Sequence, residues 1–326
     1  MRRCNSIWAV GLLWLCATPA CAMAPIEAAV ALLADVRNPT TLEAMLRNLA
    51  TLARTCDWAR RYDVIVFHEG GAAGDALRPR LEALGNRTRL RLRARDISDV
   101  FATHAPVSTD WPRRQLRTFG IGYRRMCRFW FAGVFELADV RRLSYLMRLD
   151  TDSELRCKAS SRDPFELMGK MSAVYGYVAV KTDHPMVAKN LTAFGAAYAR
   201  DVPQIQDAFY RFPPRPPPNC PAPMFYTNFE VMDVSWFAAP PAVAFARAVD
   251  ATGQIFGNRW GDAPLRWLTL ALFAGRSQLL CFGGEYDYRH RGPQDHCDLS
   301  FNISVAGCQA AGGGAPLLPP PLARSL

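Results

Sequence analysis

The 326-residue chain contains no Gly-x-Gly-x-x-Gly turn, no Walker loop and no Cys-x-x-Cys pair. Without a glycine-rich turn to cradle phosphates on backbone N–H groups, a dinucleotide enzyme or a P-loop ATPase is disfavoured. The unpaired cysteine spacing argues against a zinc site. A long basic tract is missing as well, despite a net charge of +10. Arg78, Arg80, Arg87, Arg89, Arg91, Arg93, Arg113, Arg114, Arg124 and Arg125 are scattered, and no zinc-finger spacing or RNA-binding aromatic signature accompanies them. This pattern points away from nucleic acid and towards an anionic small molecule, such as a nucleoside diphosphate, that would gain from the same field. Internal repeats are absent.

Charge is also lacking from Cys4 to Ile26, behind Arg2 and Arg3, with an apolar core from Ile7 to Ala20. Residues 1–26 read either as a cleaved signal peptide, with Ala20-Cys21-Ala22 as a small-x-small site, or as a type II signal-anchor in the membrane. Both readings place the rest of the chain in the secretory lumen, Golgi or ER. Seven cysteines lie beyond this leader: Cys56, Cys127, Cys157, Cys220, Cys281, Cys297 and Cys308. In such a compartment they predict disulfides of unspecified connectivity, with one thiol left over. Sequons at Asn86, Asn190 and Asn302 fit the same compartment.

Half of the residues are apolar, 21% charged and 11% aromatic, enough for a large packed core. An apolar strand from Ala28 to Leu33 precedes a helix with a capping box at Thr40 and Glu43. A buried strand from Asp63 to His68 follows, then a helix around Ala76 to Leu84 and a strand from Thr88 to Leu92. This alternation predicts an α/β fold with a mostly parallel sheet flanked by helices. Further on come a helix in the second half of Arg113 to Leu137, a helix from Asp163 to Ser172 and a strand from Val174 to Lys181. The proline-rich stretch from Phe212 to Pro223 reads as an extended surface loop. The layout predicts a leader at 1–26, one catalytic domain at 27–308 and a Gly/Pro-rich disordered tail at 309–326.

The chemistry begins at Arg148-Leu-Asp-Thr-Asp152, which closes an apolar strand. Two carboxylates one residue apart at a strand end suit a hard divalent cation bound with a diphosphate, although Asp-x-Asp also occurs in plain turns. Four more segments are dense in polar and aromatic residues: Tyr123–Trp130, Phe225–Val231, Asn258–Pro264 and Tyr286–His290. Glu230, after the hydrogen-bonding run Tyr226-Thr-Asn-Phe229, can act as a nucleophile or stabilise developing positive charge, but it can also pair structurally with an arginine such as Arg259. Asp262, in a Gly-Asp-Ala-Pro turn, reads equally as a helix N-cap. Trp260 reads as a sugar-stacking ring or as core. Arg124, Arg125 and Arg128 read as the solvated face of a helix, and His68-Glu69 at a strand end is left without a role.

Taken together, Arg148-Leu-Asp-Thr-Asp152, Tyr123-Arg-Arg-Met-Cys-Arg-Phe-Trp130, Phe225-Tyr-Thr-Asn-Phe-Glu-Val231, Asn258-Arg-Trp-Gly-Asp-Ala-Pro264 and Tyr286-Asp-Tyr-Arg-His290 resemble the fungal α-1,2-mannosyltransferase family, glycosyltransferase family 15. The resemblance runs from about Ala28 to Cys297. It implies a single GT-A type nucleotide-sugar-binding domain with a mixed, mostly parallel sheet. It also implies GDP-mannose as donor, Mn²⁺ as cofactor, and retaining transfer of mannose to a mannose-terminated glycan of glycoproteins. By this resemblance Asp150, Asp152 and His290 hold the metal, and Arg148, Tyr123, Asp150 and Asp152 bind the donor. The resemblance makes Glu230 and Asp262 the expected catalytic residues, and Asp183, Tyr226, Asn228 and Trp260 are candidate substrate contacts. The sequence departs from the family in two places: Asp-Thr-Asp stands where Glu-Pro-Asp is usual, and Tyr288-Arg-His290 runs into Arg291-Gly292 rather than Pro-Pro. A UDP-sugar hexosyltransferase and an inactive luminal glycan-binding protein of the same fold are the rival readings.

Overall fold

The computed structural model describes residues 26–102, 120–183, 188–201 and 222–290. Its strands are β1 (Ala28–Leu33), β2 (Asp63–His68), β3 (Arg91–Asp96), β4 (Tyr145–Leu149), β5 (Glu154–Cys157), β6 (Tyr175–Tyr177), β7 (Val180–Asp183), β8 (Ala222–Phe225), β9 (Phe229–Asp233), β10 (Leu279–Cys281) and β11 (Tyr286–Arg289). Seven of them form one sheet in the order β10-β6-β9-β4-β1-β2-β3. β1 lies parallel to β2 and β4, β2 to β3, and β10 to β6, whereas β9 runs antiparallel to both β4 and β6. The sheet is therefore mixed and mostly parallel, as expected.

The pleat sorts the apolar residues onto two faces. Ala29, Ala31, Ile65, Phe67, Leu146 and Met232 meet the helices Ile121–Phe131, Pro240–Thr252 and Asp262–Phe273. Val30, Leu32, Val64, Val66, Met147 and Val231 meet the helices Pro39–Thr55, Gly71–Thr88 and Pro164–Met171. Three layers result. The two small sheets, β5 with β11 and β7 with β8, sit apart from the large one.

The strands expected at 28–33 and 63–68 form with those bounds. Elsewhere local chemistry moves the boundaries. Asn38, rather than a Thr40/Glu43 capping box, caps the first long helix by accepting the Thr41 N–H at 3.2 Å, with proline at the first helical position. The next helix runs on to Thr88 and ends on Arg89 in the left-handed region, so β3 starts at Arg91. The single strand expected from Val174 to Lys181 divides into β6 and β7, because β7 leaves the large sheet to pair with β8. The leader up to residue 25, most of the proline-rich stretch, Asn302, Cys220, Cys297, Cys308 and the tail lie outside the described residues. Pro223 sits in β8, away from the central sheet. Among the described residues no helix is long and apolar enough to cross a membrane.

Cys56, at the end of the first long helix, is disulfide-bonded to Cys157 at the end of β5. Cys281 is disulfide-bonded as well, and Cys127 is a buried free thiol. Asn86 and Asn190 are both exposed.

Candidate active site

β4 is buried on both faces and ends at Leu149, where the chain makes a tethered turn. The Asp150 N–H donates to the Asn228 carbonyl at 3.0 Å, and the Ser153 N–H donates to the Asp150 carbonyl at 3.0 Å. From the neighbouring helix, the Asn48 side chain donates to the Thr151 carbonyl at 3.1 Å. These bonds fix the direction in which Asp150 and Asp152 leave the sheet. The antiparallel register of β5 and β11 pairs Arg289 with Glu154 and so carries His290 to the same turn. His290 Nε2 lies 3.1 Å from Asp152 Oδ1, and its Nδ1 is 3.0 Å from the Tyr226 hydroxyl. One ligand atom from each of Asp150, Asp152 and His290 falls within 4.8 Å of the others. Two carboxylate oxygens and an imidazole nitrogen make a donor set that fits a manganese-like divalent ion. The tyrosine on the far ring nitrogen supplies the orienting outer contact such ligands usually have.

Behind this trio lies a buried array of alternating charge. Arg148 and Glu230 are register partners across β4 and β9, and both point to the face covered by the helix Asp262–Phe273. One turn apart on that helix, Asp262 and Arg266 share a face. Arg148 bonds to Asp262 and, through Nε at 3.1 Å, to Asp150, and its Nη1 lies 3.5 Å from Glu230 Oε1. Arg266 Nε donates to Glu230 Oε2 at 3.0 Å, and the Tyr175 hydroxyl donates to the same oxygen at 3.0 Å. Thr227 Oγ1 donates to Asp262 Oδ2 at 2.8 Å.

Opposing effects set the protonation of these groups. Burial pushes the Glu230 carboxyl above its ordinary value, only partly opposed by Arg266 and Arg148. Burial pushes Asp262 up too, but Arg148 and the hydrogen bonds it accepts outweigh that, leaving the carboxyl below the usual range. Asp150 is raised by burial against the pull of Arg148. The Arg148 guanidinium is disfavoured by burial, yet the surrounding carboxylates Asp150, Asp262 and Glu230 hold it well above the ordinary arginine value.

Other sequence candidates fare differently. Tyr123 stands over Arg259, 5.4 Å from guanidinium carbon to ring centroid, and Arg259 pairs with Asp183 at 3.2 Å. The neighbouring Cys127, burial, Asp262 and Asp183 raise the Tyr123 hydroxyl, in that order of effect. Tyr123, Arg259, Asp183 and Asp262 therefore form a second polar group beside the array. Arg148 is not a free phosphate fork, because its donors face carboxylates and its plane lies over Trp130 at 4.6 Å. Trp260 is only 2% exposed, packed on Phe194 with its indole N–H given to the Lys189 carbonyl, and so is core rather than a stacking surface. Asn228 is buried too; its side chain accepts from Tyr288 at 2.9 Å and its carbonyl anchors Asp150, which makes it a buttress. Asp262 is not an N-cap; Gly261 holds that position and the Asp262 carboxylate turns inward. The pairing envisaged for Glu230 does exist, but with Arg266 and Arg148 in place of Arg259. Nor do Arg124 and Arg128 form a solvated face: Arg124 is buried against the Phe256 carbonyl, and Arg128 is held by Asp250 and Glu136.

Tyr175, Arg266 and Ser153 carry no expectation from the sequence, and Thr227 and Tyr288, although inside the motifs, have no role assigned there. Ser153 and Tyr288 join at 2.7 Å to brace the turn carrying the two aspartates. The one sequence signal for Arg266 was its four-residue spacing from Asp262 within an apolar helix.

The family described as glycolipid 2-alpha-mannosyltransferase matches residues 118–311, more than half of the chain. The chain belongs to this family. Among its relatives in the family, "Probable mannosyltransferase KTR4" of Saccharomyces cerevisiae is 27% identical over 186 residues, covering 54% of this chain and 39% of that protein. "O-glycoside alpha-1,2-mannosyltransferase homolog 5" of Schizosaccharomyces pombe is 25% identical over 221 residues, covering 56% of this chain and 51% of its own length. The chain thus spans about half the length of the relatives it matches, or less. Two solved structures share the fold of this family member. Ktr4p of S. cerevisiae superposes with a TM-score of 0.68 at 19% identity over 84% of this chain and 73% of that one. Core-mannan synthase A of Aspergillus fumigatus, solved in an Mn/GDP form, gives 0.66 at 19% identity over 88% and 82%. These likenesses agree with the expected GT-A type α/β fold.

Proposed function

We propose that this chain is a luminal, retaining α-mannosyltransferase. It moves mannose from GDP-mannose to a hydroxyl of a mannose-terminated glycan on a glycoprotein, in an α-1,2 linkage, and depends on Mn²⁺. The observation that carries the reading is the meeting of Asp150, Asp152 and His290 at the carboxyl end of β4, with a donor set suited to a divalent cation. Family membership and the Mn/GDP form of the Aspergillus relative support the choice of ion and nucleotide. The Cys56–Cys157 disulfide and the exposed sequon residues support the compartment.

In this reading Asp150, Asp152 and His290 hold the ion, which when bound neutralises charge on the donor diphosphate. Tyr226 keeps the His290 ring turned so that Nε2 faces the site. Arg148 acts from behind, fixing Asp150 and Asp262 relative to each other. Glu230 lies on the central strand beneath the site and supplies the carboxylate that stabilises, or attacks, the anomeric carbon opposite the departing nucleotide. Asp262, kept ionised by Arg148, takes up the acceptor side with Tyr123 and Asp183. Residues 27–308 form the catalytic domain, and residues 1–26 serve as leader or anchor.

A donor screen of the full chain tests the function. Turnover of GDP-mannose should exceed that of UDP-glucose and UDP-galactose, should vanish with EDTA and should return with Mn²⁺. Equal or better use of a UDP-sugar overturns the donor assignment. Glycan binding with no turnover of any donor points instead to an inactive lectin-like protein.

A further inference from the structure

The two oxygens of Glu230 are held unequally. Oε2 accepts from both Tyr175 and Arg266, each at 3.0 Å. Oε1 is buried without a hydrogen-bond partner and has only the Arg148 guanidinium nearby, at 3.5 Å. Leaving a buried carboxylate oxygen unsatisfied is costly, and a purely structural ion pair gains nothing from it. The two donors on Oε2 come from different elements, β6 and the helix Asp262–Phe273, so together they fix the carboxylate plane. Each donor is itself immobilised. The Arg266 Nη2 donates to the Trp130 carbonyl at 2.7 Å, and its guanidinium lies 4.4 Å over the Phe237 ring. The Tyr175 ring packs against Phe225 with centroids 4.9 Å apart. Arg266 and Tyr175 are both buried.

We propose that Arg266 and Tyr175 are positioning residues that clamp Oε2 of Glu230 and leave Oε1, the oxygen without a hydrogen-bond donor, as the one that acts on the reacting sugar. The inference rests on the role assigned to Glu230 above. A carboxylate held at one oxygen by two rigid donors cannot exchange its oxygens by rotating about its last bond. Its orientation is set before the sugar arrives, which is what a positioned group contributes to rate. In the function proposed above, the donor diphosphate is assigned to the metal trio Asp150, Asp152 and His290, and not to Arg266 or Tyr175. Loss of the clamp should therefore appear in kcat and not in KM.

The test is steady-state kinetics of the full chain with GDP-mannose, Mn²⁺ and a mannoside acceptor, with melting temperature followed in parallel. Tyr175→Phe, which removes one hydroxyl, should lower kcat about tenfold, and Arg266→Lys about 10- to 100-fold, with the KM for GDP-mannose and the affinity for GDP unchanged. In a Glu230→Asp background, where the shortened side chain falls away from the clamp, neither substitution should lower the rate further. Should Arg266→Lys fail to fold, Tyr175→Phe decides. Wild-type kcat in Tyr175→Phe, or equal losses in both backgrounds, overturns the clamp while leaving Glu230 in its role. Wild-type kcat in Glu230→Gln overturns the role of Glu230 and the clamp with it.

Discussion

Arg148 faces three carboxylates from inside the fold, and removing it exposes how much the site depends on that one cation. Arg148→Met would leave Asp150, Asp262 and Glu230 crowded together without their shared counter-charge. A loss of about 3–5 kcal/mol in unfolding free energy is expected, measurable by urea titration. A loss below 1 kcal/mol would mean the carboxylates are screened by other means. Tyr226 acts more locally. Tyr226→Phe should weaken the apparent affinity for Mn²⁺ about 10- to 100-fold while leaving stability unchanged, because the His290 ring loses the bond at Nδ1 that aims it. A Mn²⁺ titration of activity and of intrinsic fluorescence checks this, and unchanged affinity would remove Tyr226 from the site. Glu230→Gln should abolish transfer yet keep GDP and Mn²⁺ binding. At this scale the motifs marked Asp150, Asp152, His290, Glu230 and Asp262 as candidates, and the structure brings them together. Trp260 stayed open between stacking ring and core, and Asn228 stood as a candidate contact, because a ring or an amide next to a motif looks the same in sequence whether it faces a ligand or the core.

The elements explain why those residues converge. β5 carries Cys157 at one end and the register that delivers His290 at the other, and the disulfide ties it to the helix Pro39–Thr55. That bond closes a sequence separation of 101 residues, a length for which chain entropy predicts a stabilisation of about 4.7 kcal/mol. Cys157→Ser should therefore lower unfolding free energy by about 2–5 kcal/mol and also raise the Mn²⁺ requirement, since β5 and β11 form only a two-stranded sheet. Loss of stability with an unaltered Mn²⁺ dependence would separate the bond from the metal turn. Strands such as β1 and β2 were readable because a continuous apolar run buried on both faces has few other structures open to it. The break between β6 and β7 was not, because it depends on β8 offering a partner from a distant part of the chain, Ala222 to Phe225.

For the whole molecule, the buried charge array links stability to pH. Asp262 has a folded value below that of the unfolded carboxyl, so its contribution is fully present above the unfolded value and is lost as pH falls through the folded one. Glu230, raised by burial, works the other way: the fold favours its protonated form, so its ionisation costs stability as pH rises. Asp262→Asn removes the first effect. The difference in unfolding free energy between wild type and this variant should hold steady from about pH 5 to 7 and shrink below about pH 4, near the ordinary aspartate value. A gap that stays constant down to pH 3 would mean the Asp262 value is not depressed.

By itself the sequence determined the α/β class, the family and the residues able to hold a metal, because these follow from local periodicity and from side chains grouped in short motifs. Only the tertiary structure decided which arginine meets which carboxylate. Arg148 reaches Asp262, and Arg266 reaches Glu230, through strand register combined with the helical repeat. Those pairings join residues 36 to 114 positions apart, and no local signal in the chain specifies contacts over such separations.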